Sequence, residues 1–145
     1  MSIKMELEGF EGVLAGLYEL KHTTAKSVGR RVLKKAAQPV ADLANDLAPE
    51  ESGDLSESYV ASSKLNKPQA ALARKEGRDD VFMYAGTNDP AGQQQEFGNS
   101  AHAAQPHLRP AWDQESPNVL SAVEDGMREE VAKSVDRARK KAARK

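Results

Sequence analysis

Apolar and polar positions alternate in two rhythms along the chain, and the first is short. Ile3-Lys4-Met5-Glu6-Leu7-Glu8-Gly9-Phe10 alternates with period two, which predicts a half-buried strand. From Glu11 the spacing becomes helical through Val13, Leu14, Leu17, Tyr18 and Leu20, although Gly12 and Gly16 each weaken a helix by about 1 kcal/mol relative to Ala. Thr23 or Thr24 is the expected N-cap of the next helix, whose stripe is Val28, Val32, Ala36, Val40, Leu43 and Leu47. Pro39 lies inside it and predicts a kink or break near Ala36–Gln38. Arg30, Arg31, Lys34 and Lys35 fall outside the stripe and read as a solvated face rather than a phosphate contact. Pro49 disfavours α geometry at Ala48 and ends the helix there.

Beyond this point the elements shorten. Glu50-Glu51-Ser52-Gly53-Asp54 is an acidic turn, followed by a strand between Ser56 and Lys64. Asn66-Lys67-Pro68 reads as a turn, Gln69–Arg74 as strand or helix, and residues 75–80 as a charged hairpin loop. Val81–Gly86 is β-prone, and Gln93–Gly98 reads as a further strand or the lead into one. After a small-residue loop, Pro110 or Ser116-Pro117 can open a final helix with apolar positions Leu120, Val123, Met127, Val131 and Val135. The expected fold is α+β: a small antiparallel sheet of about three or four strands, with a long kinked N-terminal helix and a long C-terminal helix packed on one face.

Composition adjusts this picture in two ways. Apolar residues make up 39% of the 145, aromatics 5% and charges 30%, so the core of a single domain is thin and burial against neighbouring copies is expected to complete it. The net charge of −1 conceals a basic end: residues 128–145 carry eight basic and three acidic side chains, net +5, leaving −6 on the rest. The domain is expected to span 1–136, with 137–145 a basic, fraying tail. No apolar run reaches the ~20 residues of a membrane span and the first residues lack a signal peptide's apolar stretch, so a soluble protein made in the cytoplasm is expected.

Candidate chemistry is sparse. There is no cysteine, which excludes disulfides, thiolate metal sites and cysteine nucleophiles. A metal triad can be drawn from Glu96, His102 and His107, but the spacing is not helical and no fourth ligand presents itself. No serine has a nucleophile-elbow context, and Walker and dinucleotide fingerprints are absent. The sequence points to a non-enzyme without cofactor or metal. The basic end admits either a solvated helix terminus, favoured by the macrodipole, or a nucleic-acid contact through Arg137, Arg139, Lys140, Lys141, Arg144 and Lys145.

Two segments carry a resemblance. Ala48-Pro49 followed by Ser52-Gly53-Asp54-Leu55-Ser56-Glu57-Ser58, and Glu96-Phe97-Gly98 followed by Gln105-Pro106-His107-Leu108-Arg109-Pro110-Ala111, resemble two signatures of a family of neck and tail-completion proteins of lambda-like long-tailed phages. His107 stands where that family usually has Phe, and Ser52 where it often has Thr. The resemblance implies a small α+β structural protein of the virion, without catalysis, assembling as a ring of identical subunits between the head connector and the tail tube. Its implied partners are its own copies, those head and tail proteins, and non-specifically the packaged DNA, with no membrane. Pro49, Gly53, Leu55, Glu96, Gly98, Pro106, Leu108, Arg109, Pro110 and Trp112 are the motif or interface residues it singles out. The reading from another class is a small nucleic-acid-binding or regulatory protein acting through the basic C-terminus.

Overall fold

The computed structural model describes residues 11–49, 55–76 and 81–144. Eight elements follow in order: α1 (Glu11–Glu19), α2 (His22–Leu47), a 3-10 turn (Leu55–Glu57), β1 (Val60–Ser62), α3 (Lys67–Glu76), β2 (Tyr84–Gly86), α4 (Pro90–Phe97) and α5 (Leu108–Ala143). The alternating segment 3–10 lies outside the described residues.

The two long helices form the body. α5 has 36 residues, which at 1.5 Å per residue makes it about 54 Å long, and it packs chiefly along α2. Their contact is filled by small side chains. One core gathers Ala36, Val40, Ala41, Ala44, Ala48, Leu55, Tyr59, Ala111 and Val119; a second gathers Val13, Leu20, Val28, Val32, Val131 and Val135. Val123 packs against both and joins them. α1 closes the second core over α5, and Gly16 makes that approach close: a Cβ there would sit 2.7 Å from Val131 Cγ1. The glycine weakens its own helix but admits its neighbour. Arg139 of α5 reaches Glu19 of α1 with Nε and Nη2 at 2.8 and 2.9 Å, fastening the same pair of helices at the surface.

Several expectations are corrected. α2 begins at His22 with Lys21 as its cap residue and no side-chain cap bond, so neither Thr23 nor Thr24 caps it. It also runs unbroken through Pro39, because burial of Ala36, Val40, Ala41 and Ala44 holds both sides of the proline in one helix. The helix does stop at Leu47, and Ala48 before Pro49 is extended at φ −66°, ψ 143°. The sheet has two strands among the described residues, paired antiparallel with Val60 opposite Gly86, Ala61 opposite Ala85 and Ser62 opposite Tyr84. α2 packs against both strands, while α5 lies chiefly on α2.

Two of the segments read as possible strands are helices. Gln93–Phe97 belongs to α4, which starts with Pro90 in its first turn and with the Asp89 carboxylate accepting from Ala91 N at 2.9 Å. Residues 67–76 form α3, opened by a reciprocal box in which Asn66 Oδ1 accepts from Gln69 N and Gln69 Oε1 accepts from Asn66 N, each at 3.0 Å. α5 starts at Leu108, before either expected position. Pro110 sits in its first turn, where a missing N–H costs nothing. At the other end the helix continues through the basic segment to Ala143.

Candidate functional site

The segment between α4 and α5 is built around one buried carboxylate. Glu96, on the last turn of α4, is only 4% exposed. Its Oε2 accepts from the backbone N–H of His107 at 2.8 Å and of Leu108 at 2.9 Å. Its Oε1 accepts from Arg109 N at 3.1 Å and Arg109 Nε at 3.0 Å, and Arg109 Nη2 donates to the Glu96 carbonyl at 3.2 Å. The first turn of a helix leaves backbone N–H groups without partners, and α5 has no cap from its own His107 side chain. Glu96 supplies that cap from another helix. A carboxylate there also meets the positive end of the α5 macrodipole.

Burial alone would raise the Glu96 pKa, but the N–H groups of His107, Leu108 and Arg109 and the Arg109 guanidinium outweigh it and bring it down to about 2. All four acceptor positions of the carboxylate are occupied. It has no lone pair to offer a substrate proton or a metal.

His107 continues the network inward and is fully buried. Its Nδ1 lies 3.1 Å from the Gln105 carbonyl, which can only accept, so Nδ1 carries the proton in the neutral ring and Nε2 accepts from the Tyr59 hydroxyl. Burial first, then the charges of Glu96 and Asp89, push the Tyr59 pKa up to about 12, which keeps that hydroxyl a donor. Tyr59 is in turn held by α2: Asn45 Nδ2 donates to its carbonyl at 3.0 Å and Asn45 Oδ1 accepts from its N–H at 2.8 Å. A continuous polar chain therefore runs from α2 through the lead into β1 to the start of α5 and back to α4.

The loop closing this joint is tightly folded. Gly98, the residue after α4, has φ +74°, and a Cβ there would lie 2.7 Å from Ala104 N. Only glycine meets both demands. Asn99 Oδ1 accepts from Ala101 N and His102 N at 2.8 Å each, and Gln105 N donates to the Gln95 carbonyl at 2.6 Å. The exposed Phe97 ring lies under the Arg109 guanidinium at 5.3 Å.

The residues singled out in the sequence divide among several places. Glu96, Gly98, Leu108 and Arg109 meet in the joint. Leu55 is buried in the first core, and Leu108 and Trp112 pack half-buried against it. Pro49 is half-buried at the end of α2, Pro106 and Pro110 are exposed, and Gly53 lies outside the described residues. Of the basic set, Arg137, Arg139, Lys140, Lys141 and Arg144 are exposed, and Lys145 lies outside the described residues. Arg139 is engaged by Glu19 and Lys140 pairs with Asp136 at 3.0 Å. His102 is exposed in the loop, whereas Glu96 and His107 are buried. What sequence reasoning missed is Asn45, Tyr59 and the structural use of His107. A buried partner for the histidine comes from a residue 48 positions away, and no local pattern announces it.

A family comparison bears on this joint. The model of the HK97-gp10-like family, described as "Bacteriophage HK97-gp10, putative tail-component", matches residues 12–98. The chain belongs to this family. The match to this phage tail-component family covers α1 through α4 and ends on Gly98, so it includes Pro49, Leu55, Tyr59 and Glu96. Residues 107–109, which donate the hydrogen bonds that Glu96 accepts, follow the matched span. No curated protein and no solved structure matches the chain. No helix among the described residues is long and apolar enough to cross a membrane.

The Tyr59–His107 contact has a measurable expectation. Tyr59→Phe and His107→Phe each leave a buried polar group without its partner and are expected to destabilise by about 1–3 kcal/mol. The double variant removes both sides at once, so in urea titrations its loss should fall short of the sum by at least about 1 kcal/mol. Strict additivity would mean that the two groups do not interact.

Proposed function

We propose that the protein is a structural, non-enzymatic component of the phage neck that completes or terminates the tail, assembling as a homo-oligomeric ring between the head connector and the tail tube. The family match over residues 12–98 carries this reading. The structure supports it in two ways. The core is built largely from Ala and Val, with His107, Val28 and Val40 as the largest fully buried side chains, while Tyr18, Phe97 and Leu72 remain 87%, 65% and 61% exposed. A thin core with exposed large apolar groups suits a subunit that finishes its burial against neighbours. Second, the only strongly depressed carboxylate among the described residues is spent on joining two helices, which suits a rigid building part. The rival reading, nucleic-acid binding through the basic end, draws no support from Arg139 and Lys140, both already ion-paired.

Deleting the gene is expected to give DNA-filled heads with unattached or defective tails by electron microscopy. Normal virions from such a deletion would overturn the proposal.

A further inference from the structure

The charges around α2 are sorted into two blocks. Residues 21–38 contain six Lys or Arg and no Asp or Glu; residues 39–63 contain six Asp or Glu and no Lys or Arg. Arg30, Arg31, Lys34 and Lys35 in the first block are exposed, and so are Asp42, Asp46 and Glu57 in the second. This order opposes the helix's own preference. The first turn of α2 has no acidic residue and the last no basic one, although acids at the start and bases at the end would each stabilise it by roughly 0.3–1 kcal/mol. The arrangement therefore needs a reason other than the stability of α2.

Within one chain the blocks do not neutralise each other. The nearest pair across the boundary, Lys35 and Asp42, is about 10.5 Å apart along the helix axis, beyond the ~8 Å Debye length at physiological salt. The neighbouring α5 answers only part of the basic block: Glu130 pairs with Arg31 at 3.1 Å, while Glu129, close to Lys35, is held by Lys133 at 2.6 Å. Among the described residues Arg30, Lys34, Asp46 and Glu57 have no ion pair, and Asp42 accepts only from the neutral Gln38 amide at 2.9 Å. Arg31, Lys34, Lys35, Gln38, Pro39 and Asp42 share one side of α2 across the boundary between the blocks. Leu47 is 45% exposed beside Asp46.

We infer that this face of α2 is an interface between copies of the chain, the basic block of one copy docking on the acidic block of the next, with Pro39 as its apolar contact. This rests on the ring reading above and names the surface that builds the ring. Charge complementarity selects the occupant. A second copy carries both blocks in matching order, whereas a DNA strand would be repelled by Asp42 and Asp46 along the same face. Docked head-to-tail, each copy keeps one block free for a further neighbour, which is the kind of contact a ring requires.

Sedimentation of the full chain tests this at low and high salt, using Lys34→Glu/Lys35→Glu and Asp42→Lys/Asp46→Lys. The wild type should assemble, and added salt should weaken it. Each variant alone should associate about 100-fold more weakly, and an equimolar mixture should recover assembly because each variant complements the other's inverted block. Recovery also shows that both variants are folded. Variants that assemble like the wild type, or a mixture that stays monomeric while the wild type assembles, would overturn this interface and leave the ring reading standing. A wild type that is monomeric at every concentration overturns both. If the Lys34/Lys35 variant assembles normally but loses affinity for a short DNA duplex, the basic block is a nucleic-acid surface and the inference fails.

Discussion

Glu96→Ala is expected to lower folding stability by about 3–5 kcal/mol, the largest loss from any single side chain considered, because it strands buried donors and a charge partner together. Three backbone N–H groups lose their acceptor, and the Arg109 guanidinium loses its carboxylate. Glu96→Gln is the more telling variant. It preserves volume, yet its amide must point a donor at a donor: either at His107 N and Leu108 N or at the two Arg109 nitrogens. A loss approaching that of alanine is therefore expected, measured by urea unfolding of both variants. Wild-type stability in Glu96→Gln would show that the carboxylate's charge and second acceptor are not what hold the start of α5.

Acid should dissolve the same joint. The Glu96 pKa is about 2 in the folded chain against an ordinary value of 4.5. A depressed folded pKa contributes stability that is fully present above the unfolded value and is lost as pH falls through the folded one. The window is therefore from about pH 5 down to about pH 2, and the contribution at stake is about 3 kcal/mol. Other carboxylates also titrate in this range, so the informative quantity is the difference between wild type and Glu96→Gln. That difference should be full at neutral pH and shrink steadily below pH 5. A gap independent of pH would mean that Glu96 acts through shape alone.

These two expectations concern a residue whose sequence context, Glu-x-Gly ahead of a proline-rich stretch, marks it without explaining it. Gly98 could be read as a point of close backbone approach, since few other roles require glycine, and the long helices could be read because Val28, Val32, Ala36 and Val40 recur at a spacing that only one helical face satisfies. The helical character of α3 and α4 was also present locally, in Asn66-x-x-Gln69 and Asp89-Pro90, but polar or small residues between the caps left no apolar period to reinforce it.

By itself the sequence determined the α2 and α5 stripes, the stop at Pro49, the absence of cysteine chemistry and the two signatures that point to a phage structural protein. The tertiary structure alone decided that Glu96 caps a helix that starts twelve residues downstream, that His107 is buried between Tyr59 and the Gln105 carbonyl, and that Asn45 holds Tyr59 in place. The physical reason is distance along the chain. Helix periodicity is written in neighbours three and four residues apart, whereas a buried hydrogen bond is satisfied by whichever donor or acceptor the packing of α2 against α5 brings within reach.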